Sequence, residues 1–184
     1  MPPYTLEQLN GASAAEAERM LDGLYEHTPW IAREAVRRRP YASVLELKAT
    51  MERVLDAASP QAQLDLIRAH PELAGKAMIA GELTAESTSD QSAAGLTSCT
   101  PEEFERIQQM NTDYNRKFGF PFILCVGAGS GMTKSLIMEN FARRLEHEPE
   151  PERLEALRQI KRIVGLRLSD KFGVDLLRGA AATA

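Results

Sequence analysis

Helix-start signals recur along this chain so often that they leave little room for any other regular structure. Ser13-Ala14-Ala15-Glu16 and Ser43-Val44-Leu45-Glu46 have capping-box spacing. In that device the serine oxygen takes a first-turn N–H and the glutamate reaches back to the cap. Thr28-Pro29, Ser59-Pro60 and Thr100-Pro101 each set an N-cap residue before a proline, whose missing N–H costs nothing at the first helical position. Thr100-Pro101-Glu102-Glu103 combines both. The apolar residues that follow recur at helical spacing: Met20, Leu21 and Leu24; Leu47, Met51, Val54 and Leu55; Leu64 and Ile67. Strand-type alternation is almost absent. The run from Phe118 to Val126 is apolar, but its Pro121 argues against a central strand. The pattern predicts an all-α fold, a single compact domain of about eight helices over residues 1–184, without internal repeats and with the last few residues frayed.

Of the 184 residues 43% are hydrophobic, enough for one sizeable core. The net charge of −4 gives nucleic-acid binding no support, and Arg37-Arg38-Arg39 reads as a solvated helix end near the C-terminal dipole. Cys99 and Cys125 form no CxxC pair and have no metal spacing. They read as reduced thiols of a cytoplasmic protein that holds no metal. The start MPPYTLEQLN lacks a secretory pattern, and no apolar run approaches the roughly 18 residues of a membrane span.

Three segments break the helical pattern. His70-Pro71 ends the helix begun at Pro60, because proline disfavours the α conformation before it, and a second short helix is expected from Pro71. The imidazole there is either an acid–base group near neutral pH or a cap for the last carbonyls. The second break, Leu83 to Leu96, crowds polar side chains between Glu86 and Ser92. Ser87, Thr88, Asp90 and Gln91 are candidate caps of a solvated helix start. The third, Lys117 to Met132, is apolar and then glycine-rich. Gly127-Ala128-Gly129-Ser130-Gly131 lacks the context of a phosphate loop, while the irregular FGFPFIL backbone needs partners for its N–H groups, a ligand among them. In the last long helix, about Pro151 to Lys171 by the approximate bounds that sequence allows, Leu154, Leu157, Ile160, Val164 and Leu168 mark an inward face that includes Arg167. That arginine either snorkels to solvent or anchors an anion. Arg162 lies off the face and is expected to be exposed.

These residues have a known counterpart. HPELAGK at His70–Lys76, STSDQSAAGL at Ser87–Leu96, Asn111, Tyr114, FGFPFI at Phe118–Ile123 and Leu166-Arg167-Leu168 resemble the 2-oxo-4-hydroxy-4-carboxy-5-ureidoimidazoline (OHCU) decarboxylase family of urate degradation. Trp30 and Arg39-Pro40-Tyr41 fit as well, so the resemblance covers nearly the whole chain. It implies an all-helical, usually dimeric enzyme that needs no cofactor and converts OHCU to (S)-allantoin. By motif position it puts the catalytic histidine on His70 and catalytic partners on Asp90 and Arg167. Substrate contacts fall on Pro71, on Ser87, Thr88, Ser89 and Gln91, and on Phe122, Ile123, Leu124, Cys125 and Val126. The chain departs from the family at Asp90, where glutamate is usual.

Two other readings fit the helices: a dimeric binding or regulatory module without chemistry, and a lyase of the same fold acting on a related ureido compound. The first leaves unexplained an inward Arg167 together with a polar cluster and an irregular apolar backbone.

Overall fold

The computed structural model describes residues 3–75, 81–128 and 130–176. Among them the chain forms nine α-helices, one 3-10 turn and no strand. The helices are α1 (Leu6–Gly11), α2 (Ala14–Met20), α3 (Pro29–Val36), α4 (Val44–Asp56), α5 (Pro60–Ala69), α6 (Ala85–Ala93), α7 (Pro101–Phe118), α8 (Lys134–Leu145) and α9 (Pro149–Phe172), with the 3-10 turn at Leu96–Ser98. The expected fraying of the last residues concerns positions beyond 176, outside the described residues.

The capping signals act much as their spacing predicts. Ser13 with Glu16 and Thr100 with Glu103 form complete boxes, and the Ser59 hydroxyl accepts the Ala62 N–H. Two differ. The Glu46 carboxylate takes the N–H of Ala42 instead of Ser43, so that box is half made. The buried Thr28 hydroxyl donates to the Glu26 carbonyl at 2.7 Å, and α3 starts without a side-chain cap. Thr5 with Gln8, Thr84 and Thr133 supply caps outside the Ser/Thr-x-x-Glu pattern, since no glutamate follows them at the third position.

The chain divides into two compact units, Met1–Leu66 with Lys161–Ala184, and Ile67–Ile160. In the first, α1 packs on α2, α2 on α3 and α3 on α4. Leu9, Leu21, Leu24, Ile31, Leu47, Met51 and Leu55 form its core, each worth about 1.5–3 kcal/mol of burial. Arg37 and Arg38 pair with Glu34 on the surface. Arg39 differs from a solvated helix end: its guanidinium donates to the carbonyls of Val36, Leu9 and Ala12. It ties α1 to the end of α3.

In the second unit α7 packs on α8, around the fully buried Tyr114, whose ring meets those of Phe118, Phe120, Phe122 and Phe141.

Helix α9 corrects one face assignment. Leu154 is 54% exposed. At about 100° per residue it lies roughly 140° around the helix from Arg167. The buried arc is centred near Arg167 and extends to Gln159, Ile163 and Leu166 on its other flank. Arg162 is half-buried, not exposed.

Candidate active site

Helix α5 stops at Ala69, and the His70 N–H closes the end on the Ile67 carbonyl at 3.2 Å. Pro71 permits no further turn. The His70 side chain is buried, at 7% exposure. No helix starts at Pro71: residues 71–75 are irregular. Lys76, the last residue of the motif, lies outside the described residues.

What holds the loop is a set of side-chain amides. Ala74 has φ 48°, a left-handed conformation that a residue with a Cβ seldom adopts. Its N–H donates to Gln91 Oε1 at 2.8 Å and its carbonyl accepts from Gln108 Nε2 at 2.5 Å. Asn111 Nδ2 bonds the Leu73 carbonyl at 2.9 Å, Gln91 Nε2 the Glu72 carbonyl at 3.3 Å, and Asn115 Nδ2 the Glu72 carboxylate at 2.5 Å. Gln108, Asn111 and Asn115 recur on one stripe of α7, at spacings of three and four. A conformation costing of order 1–3 kcal/mol persists where its surroundings over-determine it, and both main-chain groups of Ala74 are held this way. Gly75 completes the turn, since a Cβ there would sit 2.7 Å from Glu72 Cβ.

The polar cluster is not the cap of α6. Thr84 is, accepting the Ser87 N–H at 3.2 Å. The cluster lies inside the helix, and five successive helical residues cannot share a face. Ser87 and Gln91, one turn apart, are buried at 4% and 2%, and Asp90 is half-buried. Thr88 and Ser89 are exposed, and the Thr88 hydroxyl donates to the Thr84 carbonyl. Gln91, expected to touch substrate, bonds the 72–74 loop with both ends of its amide.

Helix α7 ends in a left-handed Gly119, φ 73°, whose carbonyl accepts from Arg68 Nε at 3.1 Å. Residues 121–126 then run without regular structure, and Phe122, Ile123, Leu124, Cys125 and Val126 are all buried. The Cys125 N–H donates to Gln159 Oε1 at 3.0 Å. The Ile123 carbonyl accepts from Arg144 Nη1 at 2.6 Å, and the guanidinium carbon lies 4.5 Å from the centroid of the Phe122 ring. Arg144 is wholly buried and pairs with the equally buried Glu152. The same carboxylate accepts from the Tyr114 hydroxyl and meets His147 Nδ1 at 2.7 Å. Burial pushes the Tyr114 hydroxyl far above its usual range, against the pull of Arg144, so it remains a donor. The sequence reading missed this cluster. Its signal was available: Ile137, Phe141 and Arg144 recur at four and three, the same kind of inward spacing that marks Arg167.

In the other unit Arg167 is 6% exposed and does not snorkel. It donates to the Glu26 carboxylate at 3.0 Å and the Gly23 carbonyl at 2.9 Å. Glu26 itself is 2% exposed, an acid that no sequence pattern singled out. Among the described residues no group of three His, Cys, Asp or Glu side chains is placed to hold a metal ion, and no helix is long and apolar enough to cross a membrane.

Chemically, the second unit therefore offers a buried imidazole on a rigidly held turn, a half-buried carboxylate, and an irregular buried backbone whose path is set by polar side chains. Residues 10–169 match the profile of the OHCU decarboxylase family. The chain is 35% identical over 172 residues to the 2-oxo-4-hydroxy-4-carboxy-5-ureidoimidazoline decarboxylase of Haloferax volcanii, covering 94% of this chain and 98% of that one. It is 36% identical over 166 residues to the Mus musculus protein of the same name, with coverage of 90% and 92%. The crystal structure of an (S)-allantoin synthase superposes with a TM-score of 0.73 at 29% identity, over 92% of this chain and 54% of that one.

Proposed function

The chain belongs to the OHCU decarboxylase family, and from that premise we propose how its residues carry out the reaction. The protein is a carboxy-lyase that decarboxylates OHCU to (S)-allantoin in urate degradation. In the substrate one ring carbon carries both hydroxyl and carboxylate, beside the imine carbon that carries the ureido group. When the bond to the carboxylate breaks, its electron pair passes into the adjoining imine, so the substrate supplies its own electron sink and the reaction calls for no cofactor or metal. The hydroxyl proton leaves to give the carbonyl, and a proton arrives on one face of the ureido-bearing carbon. The enzyme's task is to hold the carboxylate perpendicular to the π system and to steady the charge that develops elsewhere.

His70 and Asp90 hold or shuttle the hydroxyl proton, and one acid delivers the proton to a single face. Pro71 and the inward side of α6, with Ser87 and Gln91, border the substrate. Thr88 and Ser89, though exposed, stay within the proposed contact segment. Main-chain groups of 122–126 face the developing charge, and Arg167 binds a carbonyl or anionic part of the substrate. The protein works as a single OHCU decarboxylase-like domain, as a cytoplasmic homodimer. The observation that carries this reading is the buried His70 beside a strained turn that amides from two helices hold in place.

Freshly generated OHCU, made from urate by the two preceding enzymes, tests it. Its ultraviolet absorbance should vanish faster with this protein, and circular dichroism should show the (S) product. Decay at the uncatalysed rate to racemic allantoin would overturn the reading.

A further inference from the structure

The segment 122–126 has no ladder or helical bonds of its own to set its path. Side chains from elsewhere in the same unit reach its main chain: Arg144 bonds the Ile123 carbonyl and Gln159 the Cys125 N–H. Leu124 lies between those two points. Gln159 is 3% exposed, and its amide can sit only one way round. Nε2 donates at 2.7 Å to the carboxylate of Glu155, which accepts only, so Oε1 must turn to the Cys125 N–H. Glu155 is itself held by Arg158. On Arg144's side, Glu152 takes the guanidinium and the Tyr114 hydroxyl. The segment's backbone is thus gripped on two sides by polar side chains from α8 and α9.

We propose that Gln159 is a positioning residue for the decarboxylation: it acts through the Cys125 N–H to keep the main chain of 122–126 where the developing charge is met. This rests on the reading that 122–126 faces the substrate. A main-chain shift of about 1 Å in such a site costs on the order of 10²-fold in rate. The charge it meets exists fully only in the transition state, so the loss falls on kcat, while KM moves little.

The test compares Gln159→Met, which fills the space without an acceptor, with the double variant Glu155→Gln/Gln159→Glu, which keeps an acceptor for the Cys125 N–H and restores the bond between 155 and 159 with donor and acceptor exchanged. OHCU decay is followed at saturating and limiting substrate, alongside thermal unfolding. The expected result is a folded Gln159→Met enzyme with kcat down about 10²-fold and KM nearly unchanged, and recovery of most of kcat in the double variant. A merely structural role would lower the melting temperature and the folded fraction but leave kcat per folded molecule alone, and that result overturns the proposal. Gln159→Asn, which keeps the amide but shortens its reach by one methylene, is measured beside them. Wild-type kcat in a folded Asn or Met variant, or failure of both to fold, also overturns it. Wild-type protein without activity on OHCU would instead refute the functional reading on which the proposal stands.

Discussion

Replacing Glu152 by glutamine isolates the charge of the buried cluster, because it keeps volume and shape. Glu152 is wholly buried and its Oε1 accepts from Arg144 Nε at 2.8 Å, from Arg144 Nη2 and from the Tyr114 hydroxyl. The glutamine oxygen still accepts from those donors, so most of the hydrogen bonding survives. What is lost is the countercharge of Arg144, a guanidinium at 0% exposure. Leaving a buried charge uncompensated costs about 3–5 kcal/mol. The carbonyl of Ile123 and the face of Phe122 still solvate the guanidinium, which places the expected cost near the lower end, about 3 kcal/mol. For a chain of this size each kcal/mol lowers the midpoint by about 2–4 °C, so the loss is roughly 6–12 °C. Total stabilities of about 5–15 kcal/mol leave the variant folded at room temperature. Thermal unfolding by far-ultraviolet circular dichroism is the assay. The triple variant Tyr114→Phe/Arg144→Met/Glu152→Leu, which removes donors and charges together, should melt above Glu152→Gln, since apolar replacement of a buried ion pair is often neutral or better. A Glu152→Gln midpoint within about 2 °C of wild type, or a triple variant that melts lower still, would refute the reasoning.

His70→Asn should keep the wild-type melting temperature and lose about 10²–10⁴ in turnover; a folded variant with near-normal rates of OHCU decay would reduce His70 to a cap. Asp90→Asn should cost more activity than Asp90→Glu, which restores the family's usual residue, and the reverse order in the same assay would remove Asp90 from the reaction. Gly75→Ala puts a Cβ 2.7 Å from Glu72 Cβ, so Glu72 must shift from Asn115 and Gln91; urea unfolding should show a loss of about 1–3 kcal/mol, together with lower turnover. Burial raises the Glu155 carboxyl, but the bonds from Arg158 and Gln159 outweigh it and bring it below its ordinary value near 4.5. Its contribution is therefore present above pH 4.5 and lost as the pH falls below it; acid titration of wild type and Glu155→Gln should converge there, and parallel curves would contradict the assignment.

The helix starts at Ser13, Ser59 and Thr100 and the end at His70 were legible because each depends on backbone groups within about four residues of the signal. Proline after His70 disfavours the helical conformation at that residue through a clash with its own neighbouring backbone, a purely local effect. The inward placement of Arg167 was legible for a similar reason, since helical period alone puts it among apolar neighbours. Where such signals failed, another main-chain group equally close in sequence took the side chain: the Thr28 hydroxyl serves the Glu26 carbonyl, and the Glu46 carboxylate serves Ala42. Only the tertiary structure decided that residues 71–75 form no helix, because the carbonyls and N–H of that loop are taken by Gln91, Gln108 and Asn111. It decided that Ser87 and Gln91 turn inward while Thr88 and Ser89 face water. It also joined Arg144 to Glu152 and Ile123, and Arg167 to Glu26, the last pair 141 positions apart. A side-chain amide or guanidinium carries no local preference that names its partner. Burial forces it to find one, and which one is set by the packing of helices far apart in the chain.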